Sequence, residues 1–239
     1  MTDCAIGIDV GGSAIKLGLV ARSGELMARR RLATGGNEDF PAFAVRLIAA
    51  VEELRSEAAG VCAIGLAMPG FVDPQTGISI DGTHNVPALE KRSLALELGR
   101  ASGLPVVAQN DGIAAARGEL EFGAGRSLRR FVMMTIGTGI GGGLVVDGRI
   151  VTGARGEPPE LGALVLDPAG PVNYSGLAGT LEAYASVPGL NAAYGSQGLP
   201  AEEIFRRAGE GDAAADRAVD AVCFRLAQAC GTLVNALNL

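Results

Sequence analysis

The sequence predicts an α/β protein whose mixed sheets are covered by helices. Two observations support this prediction. After an opening antiparallel hairpin, apolar runs of strand length alternate with amphipathic stretches of helical period. A glycine-rich hairpin that carries a hydroxyl residue also occurs twice, once in each half of the chain. We therefore expect two similar subdomains, residues 1–122 and 123–239.

The composition is typical of a globular protein with a sizeable core. Hydrophobic residues make up 48% and charged residues 19% of the 239 residues, which excludes a disordered chain. The formal net charge is −6 and no basic stripe occurs, so a nucleic-acid partner is not expected. The N-terminus lacks a signal peptide, and no apolar run is long enough to cross a membrane. Four cysteines without zinc or disulfide spacing are typical of buried free thiols in a cytoplasmic protein.

The first apolar stretch, residues 4–32, predicts two or three antiparallel strands. A tight turn is predicted at Gly11-Gly12, where glycines let backbone amides approach a bound anion and Ser13 adds a hydroxyl. Asp9, just before the turn, is placed to hold a hydrated magnesium ion. A plain β-hairpin is the alternative, because a single Gly-Gly turn favours it. No helix is predicted directly after the turn, which excludes a Walker A loop and a dinucleotide fingerprint.

The middle of the chain alternates helix and strand. Apolar residues at helical spacing from Phe40 predict an amphipathic helix, and residues 61–67 form a buried apolar run. A short helix is predicted near residues 93–100, followed by a strand at 105–108. Together with the hairpin strands, this order predicts a mixed sheet covered by helices. The one histidine, His84, is expected to be a loop residue rather than a catalytic base.

The segment Gln109-Asn110-Asp111 follows this strand and precedes an alanine-rich helix, residues 113–122. Open α/β sheets bind ligands at such carboxyl ends of strands. A carboxylate there can take a proton from a substrate hydroxyl, which makes Asp111 a candidate general base. The alternative is that Asp111 merely caps the helix, since aspartate is a common N-cap.

The second half of the chain opens with a unit that repeats the first. A strand at 131–136 leads into the glycine-rich loop 137–143, and strands follow at 144–146 and 149–152. Two copies of a phosphate-cradling hairpin are far more specific than one, and they predict two subdomains that face each other across a nucleotide. Apolar residues at helical spacing then predict a long amphipathic helix from about residue 212 to residue 238.

Five blocks of the chain, in this order, match the motifs of one known family. They are DVGGSAIK at 9–16, NDGIAAARGE at 110–119, TIGTGIGGG at 135–143, ELGA at 160–163 and SGLAGTLE at 175–182. By order and spacing they resemble the phosphate, catalytic-aspartate, sugar and zinc motifs of the ROK family of sugar kinases and sugar-responsive repressors. This resemblance implies the actin-like ATPase (ribonuclease H-like) fold.

By this resemblance, Asp111 is the general base that activates a hydroxyl of a hexose or N-acetylhexosamine. The donor is ATP, with Mg²⁺ near Asp9. The implied sugar contacts are Gly70, Asn85, Asn110, Glu160 and Glu182. The implied phosphate-binding residues are Asp9, Gly11, Gly12, Ser13, Lys16, Gly137, Thr138 and Gly139. Lys16 matches the motif, but its role is open between a phosphate contact and a structural ion pair.

The chain departs from the family at the zinc site. The positions of the family's zinc-binding histidine and three cysteines are here Ala163, Asn173, Ser175 and Thr180, so no structural zinc is expected. Metal analysis is therefore expected to find no stoichiometric zinc, and the loop 167–179 is held by packing and hydrogen bonds instead. In the family the same histidine also contacts the sugar, so the resemblance implies that Ala163 removes that contact. A missing hydrogen bond in a buried polar site changes discrimination among substrates by orders of magnitude.

A second departure concerns the C-terminus. In the family, a further strand and helix carry the Gly-Gly turn that holds the adenosine, whereas this sequence ends at Leu239. The resemblance thus implies an incomplete second subdomain and weaker nucleotide binding. A polyphosphate-dependent glucokinase and a non-catalytic sugar-binding protein stay open as alternatives. Family repressors carry an N-terminal helix-turn-helix, for which a predicted first strand at Cys4 leaves no room. Because the family commonly dimerises, the resemblance also implies a possible homodimer.

Overall fold

The computed structural model of the protein describes residues 3–35, 38–173 and 176–239. The chain forms two compact units. We call them unit 1 (Met1–Ser127 and Thr152–Pro158) and unit 2 (Leu128–Val151 and Pro159–Leu239). The subdomain boundary between residues 122 and 123, which we infer from the sequence, stays a prediction.

Unit 1 is built on a five-stranded mixed sheet. The strands of this unit are β1 (Cys4–Val10), β2 (Ala14–Ala21), β3 (Leu26–Ala33), β4 (Val61–Met68), β5 (Phe71–Val72), β6 (Ser79–Asp81) and β7 (Val106–Asn110). The sheet has the order β3-β2-β1-β4-β7, in which β1, β2 and β3 are antiparallel neighbours while β1, β4 and β7 run parallel. Strands β5 and β6 form a separate antiparallel pair. The opening segment therefore contributes three strands, as its pattern predicts.

The core of unit 1 lies between one face of this sheet and its helices. The helical elements are α1 (Phe40–Ser56), a 3-10 turn (Pro87–Leu89), α2 (Leu94–Ser102) and α3 (Asp111–Phe122). Alternate residues of β1, such as Ile6 and Ile8, are buried because successive side chains of a strand point to opposite faces. They pack with Phe43, Leu47 and Leu54 of α1, whose helical spacing places them on one side of that helix.

Unit 2 contains a three-stranded antiparallel sheet and four α-helices among the residues described. Its elements are β8 (Phe131–Ile136), β9 (Ile140–Val146), β10 (Arg149–Val151), a 3-10 turn (Leu161–Ala163), α4 (Leu181–Ala185), α5 (Val187–Tyr194), α6 (Ala201–Gly209) and α7 (Ala213–Leu237). The sheet has the order β10-β9-β8. Residues of α4, α6 and α7, including Leu181, Ile204 and Ala218, form the core of this unit.

Helix α7 confirms the long amphipathic helix that the sequence predicts. Asp212 caps it by accepting hydrogen bonds from the amides of Ala214 and Ala215, and Asn238 ends it in the left-handed conformation with φ of 52°. Neither α7 nor any other helix in the described part of the chain combines the length and apolar character that a bilayer span requires.

The glycine-rich loop of unit 2 is shorter than the predicted 137–143. Strand β9 begins at Ile140, so Gly141, Gly142 and Gly143 pair with β8. A Cβ on Gly142 would lie 2.0 Å from the carbonyl oxygen of Met133, so this glycine is required by a close approach of two strands rather than by a turn. The loop itself comprises residues 137–139.

The cysteines correct a second expectation, since only Cys4 is buried. Cys62, Cys223 and Cys230 are exposed, and all four are free thiols. Cys62 donates a hydrogen bond to the carbonyl of Cys4 (3.3 Å), while Cys223 and Cys230 lie on the solvent side of α7. The apolar character of the surrounding sequence does not show which side of a strand or helix faces solvent.

Candidate active site

The parallel strands of unit 1 bring predicted site residues to one edge of the sheet. Asp9 on β1 pairs with Ala67 on β4, and Met68 on β4 pairs with Asn110 on β7. The three strands therefore end side by side, with Asp9 and Asn110 at their carboxyl ends. This is the edge at which open α/β sheets bind ligands.

Asp111 is the first residue of α3, but its neighbour Asn110 caps the helix. The Oδ1 atom of Asn110 accepts a hydrogen bond from the amide of Ile113 at 3.1 Å. The Asp111 carboxylate accepts one from the adjacent amide of Gly112 at 2.8 Å, and its side chain is exposed. The alternative that Asp111 merely caps the helix is therefore wrong, because Asn110 is the capping residue and the Asp111 carboxylate is accessible.

The surroundings of Asp111 raise the pKa of its carboxyl above the ordinary value of 3.8. Desolvation is the largest cause, and the negative charge of Asp9 adds to it. Hydrogen bonds from Gly112 and Asn110 lower the pKa without cancelling the rise. An accessible carboxylate that is more basic than usual has the properties expected of a general base.

Asn110 also fixes the turn that carries Gly70. Its Nδ2 donates to the carbonyl of Gly70 at 2.9 Å, and the residue is 7% exposed. Gly70 has a φ of +76°, and a Cβ there would lie 2.1 Å from the carbonyl oxygen of Asp81. The turn between β4 and β5 therefore needs glycine at this position, and Asn110 holds it against β7. The sugar contacts of Gly70 and Asn110 stay predictions.

The first glycine hairpin joins β1 and β2 through a three-residue loop, residues 11–13. The amide of Gly11 donates back to the carbonyl of Ala14 at 3.1 Å. Within residues 3–35, 38–173 and 176–239, no acceptor takes a hydrogen bond from the amides of Gly12 or Ser13. Two adjacent amides of this kind at a glycine turn are suited to bind an anion.

Two side chains from other parts of unit 1 hold this loop. The Oγ1 atom of Thr34 donates to the carbonyl of Gly11 at 2.5 Å, and Thr34 is 3% exposed. Asn85 lies against Gly12, where a Cβ would be 2.8 Å from the Cβ of Asn85. Glycine at position 12 is thus required by the neighbouring Asn85. The sequence does not indicate this role of Thr34, because a threonine that follows a strand has no distinctive pattern.

Asp9 and Lys16 are cross-strand neighbours on β1 and β2, and they form an ion pair with an Nζ–Oδ2 distance of 3.0 Å. The side chains are 45% and 66% exposed, so the pair contributes little to stability. Of the two roles open for Lys16, this geometry favours the structural ion pair. Asp9 remains close enough to Asp111 to raise its pKa, so two carboxylates share this end of the sheet.

The second glycine hairpin joins β8 and β9 through residues 137–139. The amide of Gly137 donates within the loop to the carbonyl of Gly139 at 2.9 Å, and the carbonyl of Gly137 accepts from the amide of Val187 at 2.8 Å. The amides of Thr138 and Gly139 donate to no acceptor in the described part of the chain. The repeat therefore extends to the hydrogen bonds, because in each loop the first amide bonds inward and the next two are available to a ligand.

Glu182 holds the second hairpin as Asn85 holds the first. It lies in the first turn of α4, which Thr180 caps, and it is 9% exposed. Its Oε2 atom accepts a hydrogen bond from the amide of Ile140 at 2.8 Å and would lie 2.6 Å from a Cβ on Gly139. A predicted sugar contact therefore packs directly on a predicted phosphate loop.

Glu160 belongs to a segment that meets the same hairpin. It is exposed, and its carbonyl accepts from the amide of Ala163 at 3.1 Å in the 3-10 turn. Gly162 in this turn packs so closely that a Cβ would lie 2.4 Å from the carbonyl oxygen of Ile140 and 3.3 Å from the Cβ of Glu182. Unit 2 thus brings the segments of both predicted glutamates to the start of β9.

The positions that correspond to the family's zinc ligands have other roles here. Thr180 is fully buried and its Oγ1 accepts from the amide of Ala183 at 3.2 Å, which caps α4. Asn173 accepts from the amide of Leu177 at 3.1 Å within a turn, and Ala163 ends the 3-10 turn. Ser175 lies outside the described residues. The absence of zinc stays a prediction.

Solved structures of sugar kinases are similar to this fold over almost the whole chain. The ROK hexokinase of Thermus thermophilus has a TM-score of 0.83 and 33% identity, covering 98% of this chain and 78% of that one. A ROK family glucokinase from Streptomyces griseus, solved with glucose and AMPPNP, has a TM-score of 0.80 and 27% identity, covering 98% and 80%. These neighbours have the actin-like ATPase fold, so the fold class predicted from the sequence is confirmed.

Curated relatives are also sugar kinases. A glucokinase of Thermotoga maritima is 34% identical over an alignment of 262 positions, which covers 98% of this chain and 78% of that protein. An N-acetylmannosamine kinase of Salmonella arizonae is 36% identical over 208 residues, which cover 86% of this chain and 70% of that protein. The model of the ROK family matches residues 5–239. This chain therefore belongs to the ROK family.

Proposed function

We propose that this protein is a sugar kinase that transfers the terminal phosphoryl group of ATP to a hydroxyl of a hexose or N-acetylhexosamine. The observation that carries the proposal is the setting of Asp111. Its carboxylate lies at the carboxyl end of β7, Asn110 takes over the capping of α3, and desolvation raises its pKa. The family membership and the sugar-kinase relatives support the same reaction class.

In this proposal Asp111 is the general base. Its carboxylate accepts the proton of the sugar hydroxyl as that oxygen forms a bond to the γ-phosphorus of ATP, and the bond from the γ-phosphorus to the bridging oxygen breaks to release ADP. A base within hydrogen-bond reach of the hydroxyl contributes typically about 10²–10⁴-fold to the rate. The remaining acceleration comes from in-line positioning and neutralisation of phosphate charge.

The two glycine hairpins supply the phosphate contacts of this proposal. The amides of Gly12 and Ser13 in unit 1, and those of Thr138 and Gly139 in unit 2, have no acceptor among the described residues. Each pair would donate to phosphate oxygens, and the hydroxyls of Ser13 and Thr138 would add a donor to each loop.

Mg²⁺ would accompany the ATP, and the residues of unit 1 fit it. Asp9 is exposed at the end of β1, and its negative charge acts on Asp111 strongly enough to raise the pKa of that carboxyl. A hydrated cation held by Asp9 and by the phosphates would offset this repulsion. When bound, the ion neutralises charge on the phosphate oxygens.

The sugar contacts of the proposal come from residues that also shape the hairpins. Asn85 and Glu182 would hydrogen-bond sugar hydroxyls while packing on Gly12 and Gly139. The proposed set also includes the exposed carboxylate of Glu160, the buried amide of Asn110 and the backbone turn at Gly70. Contacts of this kind place a particular hydroxyl in line with the donor.

The test is sugar-phosphate formation over a panel of hexoses and N-acetylhexosamines, with ATP and with polyphosphate, for the wild type and Asp111→Asn. The proposal predicts turnover with ATP that falls at least about 10²-fold in the variant. The matched control is Asp39→Asn, because Asp39 caps α1 of the same unit by accepting from the amide of Ala42. Asparagine also caps helices well, so this control is expected to retain activity.

Three outcomes would contradict parts of the proposal. Turnover that survives in Asp111→Asn would remove the general-base assignment. Sugar binding without turnover in the wild type would favour the non-catalytic sugar-binding protein. Turnover with polyphosphate but not with ATP would favour the polyphosphate-dependent glucokinase.

A further inference from the structure

The short helix α4 carries side chains with two different surroundings. Glu182 contacts the second glycine hairpin through its hydrogen bond from the amide of Ile140. Tyr184, two residues later, contacts Asp167 and Arg225 instead. Residues at i and i+2 of a helix point in different directions, so the two groups of contacts act on opposite sides of α4.

A three-residue cluster, which we call the Tyr184 brace, forms the second set of contacts. The hydroxyl of Tyr184 donates to Oδ2 of Asp167 at 3.2 Å. The guanidinium of Arg225 lies 4.1 Å from the centre of the Tyr184 ring, and its Nη2 is 4.0 Å from the same Asp167 oxygen. Stacking on an aromatic face and a charge pair together connect α7, α4 and the segment at Asp167.

Asp167 is itself held tightly to the segment that enters α4. Its amide and that of Leu166 donate to the carbonyl of Gly179, at 3.2 and 2.8 Å. Gly179 has a φ of +63°, and a Cβ there would lie 1.5 Å from the Asp167 carbonyl oxygen, so the two segments touch backbone to backbone. Asp167 therefore contacts Gly179, just before the capping residue Thr180 of α4, and also Tyr184 within α4.

Tyr184 remains a hydrogen-bond donor throughout the working range of an enzyme. Desolvation, followed by the bond to Asp167, raises the pKa of Tyr184 above its ordinary value of 10.0. Gly170 packs against the same hydroxyl, where a Cβ would lie 2.1 Å from the oxygen. The hydroxyl is therefore fixed by packing as well as by its hydrogen bond.

We propose that the Tyr184 brace is a positioning device that sets the rotation of α4 and thereby holds the Glu182 carboxylate at the second glycine hairpin for sugar binding. The inference rests on the proposed function, in which Glu182 contacts the sugar. The contacts described above for the brace include no residue of the hairpin, so we argue that it acts through Glu182. Its loss lets α4 turn about its axis, which weakens both the bond from Ile140 and the sugar contact.

The test compares Tyr184→Phe with Tyr194→Phe. Tyr194 has the same chemistry in unit 2, since its hydroxyl donates to Asp212 at 2.8 Å, accepts from Arg207 at 3.0 Å, and its ring lies under that guanidinium. It lies on α5 and makes no bond to Glu182. Tyr184→Phe is expected to raise the KM for sugar about fivefold or more with kcat changed less than about twofold, whereas Tyr194→Phe leaves both unchanged.

Amide hydrogen exchange of Ile140 gives a readout that does not depend on turnover. Its amide donates to Glu182, so Tyr184→Phe is expected to accelerate its exchange, and Tyr194→Phe is not. Asp167→Asn, which keeps an acceptor for the hydroxyl, is expected to change Ile140 exchange less than Tyr184→Phe does.

The outcomes separate this inference from the proposed function. An unchanged sugar KM with unchanged Ile140 exchange in Tyr184→Phe would overturn the brace while the kinase proposal stands. A wild type without any turnover would overturn the kinase proposal, and Ile140 exchange would still decide whether the brace positions Glu182. Equal changes in both tyrosine variants would also overturn the inference, because they would show a general loss of packing.

Discussion

The two glycine hairpins share a loop of three residues but differ in what holds them. In unit 1, a neutral amide and a hydroxyl do so: Asn85 packs on Gly12, and Thr34 donates to the carbonyl of Gly11. In unit 2, the buried carboxylate of Glu182 accepts from the amide of Ile140 and touches Gly139. In both units a residue proposed to bind sugar lies against a residue proposed to bind phosphate.

The contacts of the two hairpins explain which of their glycines cannot carry a side chain. A turn alone explains why glycine is common in such loops, but it does not explain which position tolerates no side chain. A Cβ on Gly12 or Gly139 would meet Asn85 or Glu182 at 2.8 or 2.6 Å, whereas a Cβ on Gly137 would meet nothing within 4 Å. Gly12 and Gly139 are therefore the loop glycines on which Asn85 and Glu182 pack, and a side chain at either position would displace a residue proposed to bind sugar.

The largest expected effect separates glycines within these loops. Gly12→Ala and Gly139→Ala are expected to lower kcat/KM about 10²-fold or more, since a displacement of about 1 Å at a positioned site has that cost. Gly137→Ala is the matched control from the same loop and is expected to stay within about threefold of wild type. Although the family motif implies a phosphate contact for Gly137, its amide donates to the carbonyl of Gly139 and a Cβ there would meet nothing within 4 Å. Steady-state kinetics with sugar and donor varied separately measure all three. Equal losses at 137 and 139 would contradict the packing explanation.

The two kinds of support are expected to affect different properties, sugar binding for Glu182 and stability for Thr34. Glu182→Gln keeps the shape but removes the charge from a proposed sugar contact, so the KM for sugar is expected to rise about tenfold while the donor KM changes little. Thr34→Val removes a bond to the first loop alone, so it is expected to lower the free energy of unfolding by about 1 kcal/mol without changing the sugar KM. Denaturant unfolding and kinetics test both, and a common change in sugar KM would show that the supports are not separate.

The charge of Asp9 is expected to appear in the pH profile. Asp9 helps raise the pKa of Asp111, so Asp9→Asn is expected to lower that pKa and shift the acid limb of log kcat/KM to lower pH. Protonation of the base causes this limb, which makes the sign unambiguous. Asp73→Asn is the control, because Asp73 is not among the groups that shift Asp111. A shift to higher pH, or none, would count against the assignment.

The smallest expected effect concerns stability. The folded-state pKa of Asp111 is raised above 3.8. Its favourable contribution to the free energy of unfolding is therefore complete below pH 3.8 and is lost as pH rises through the folded-state pKa. Asp111→Asn is therefore expected to raise Tm slightly at neutral pH, and less so in acid. Asp73 has the opposite sign, since amide hydrogen bonds from Gln75 and Thr76 lower its pKa, so Asp73→Asn is expected to lower Tm at neutral pH. A Tm that falls in Asp111→Asn would refute this reading of the carboxylate.

The sequence predicted the features that depend on neighbours along the chain. The spacing of apolar residues predicted α1 and α7, and the turn residues predicted both hairpins. These patterns involve only residues that are close to one another in the chain. The same local signal predicted too long a loop at 137–143. A run of glycines is typical of a turn, but Gly142 lies in a strand and is needed because β8 and β9 approach closely there.

The features that the sequence could not predict come from tertiary contacts. Glu182 lies 42 residues from Ile140 in the chain, and no pattern indicates that its carboxylate accepts from that amide. The contacts of Thr34 and of the Tyr184 brace could not be predicted either, because they also join residues far apart in the chain. Asp111 was identified as the candidate base, but the choice of Asn110 over Asp111 as the cap depends on side-chain orientations that a sequence does not contain.

The proposal that both glycine hairpins bind donor phosphate can be tested by NMR titration of the ¹⁵N-labelled protein with Mg²⁺ and tripolyphosphate. Saturable shifts are expected for the amides of Gly12, Ser13, Thr138 and Gly139. Gly148 is the internal control, because it occupies a glycine turn whose amide already donates to the carbonyl of Arg129 at 2.8 Å. Shifts at one hairpin alone, or no shift at either, would contradict the account.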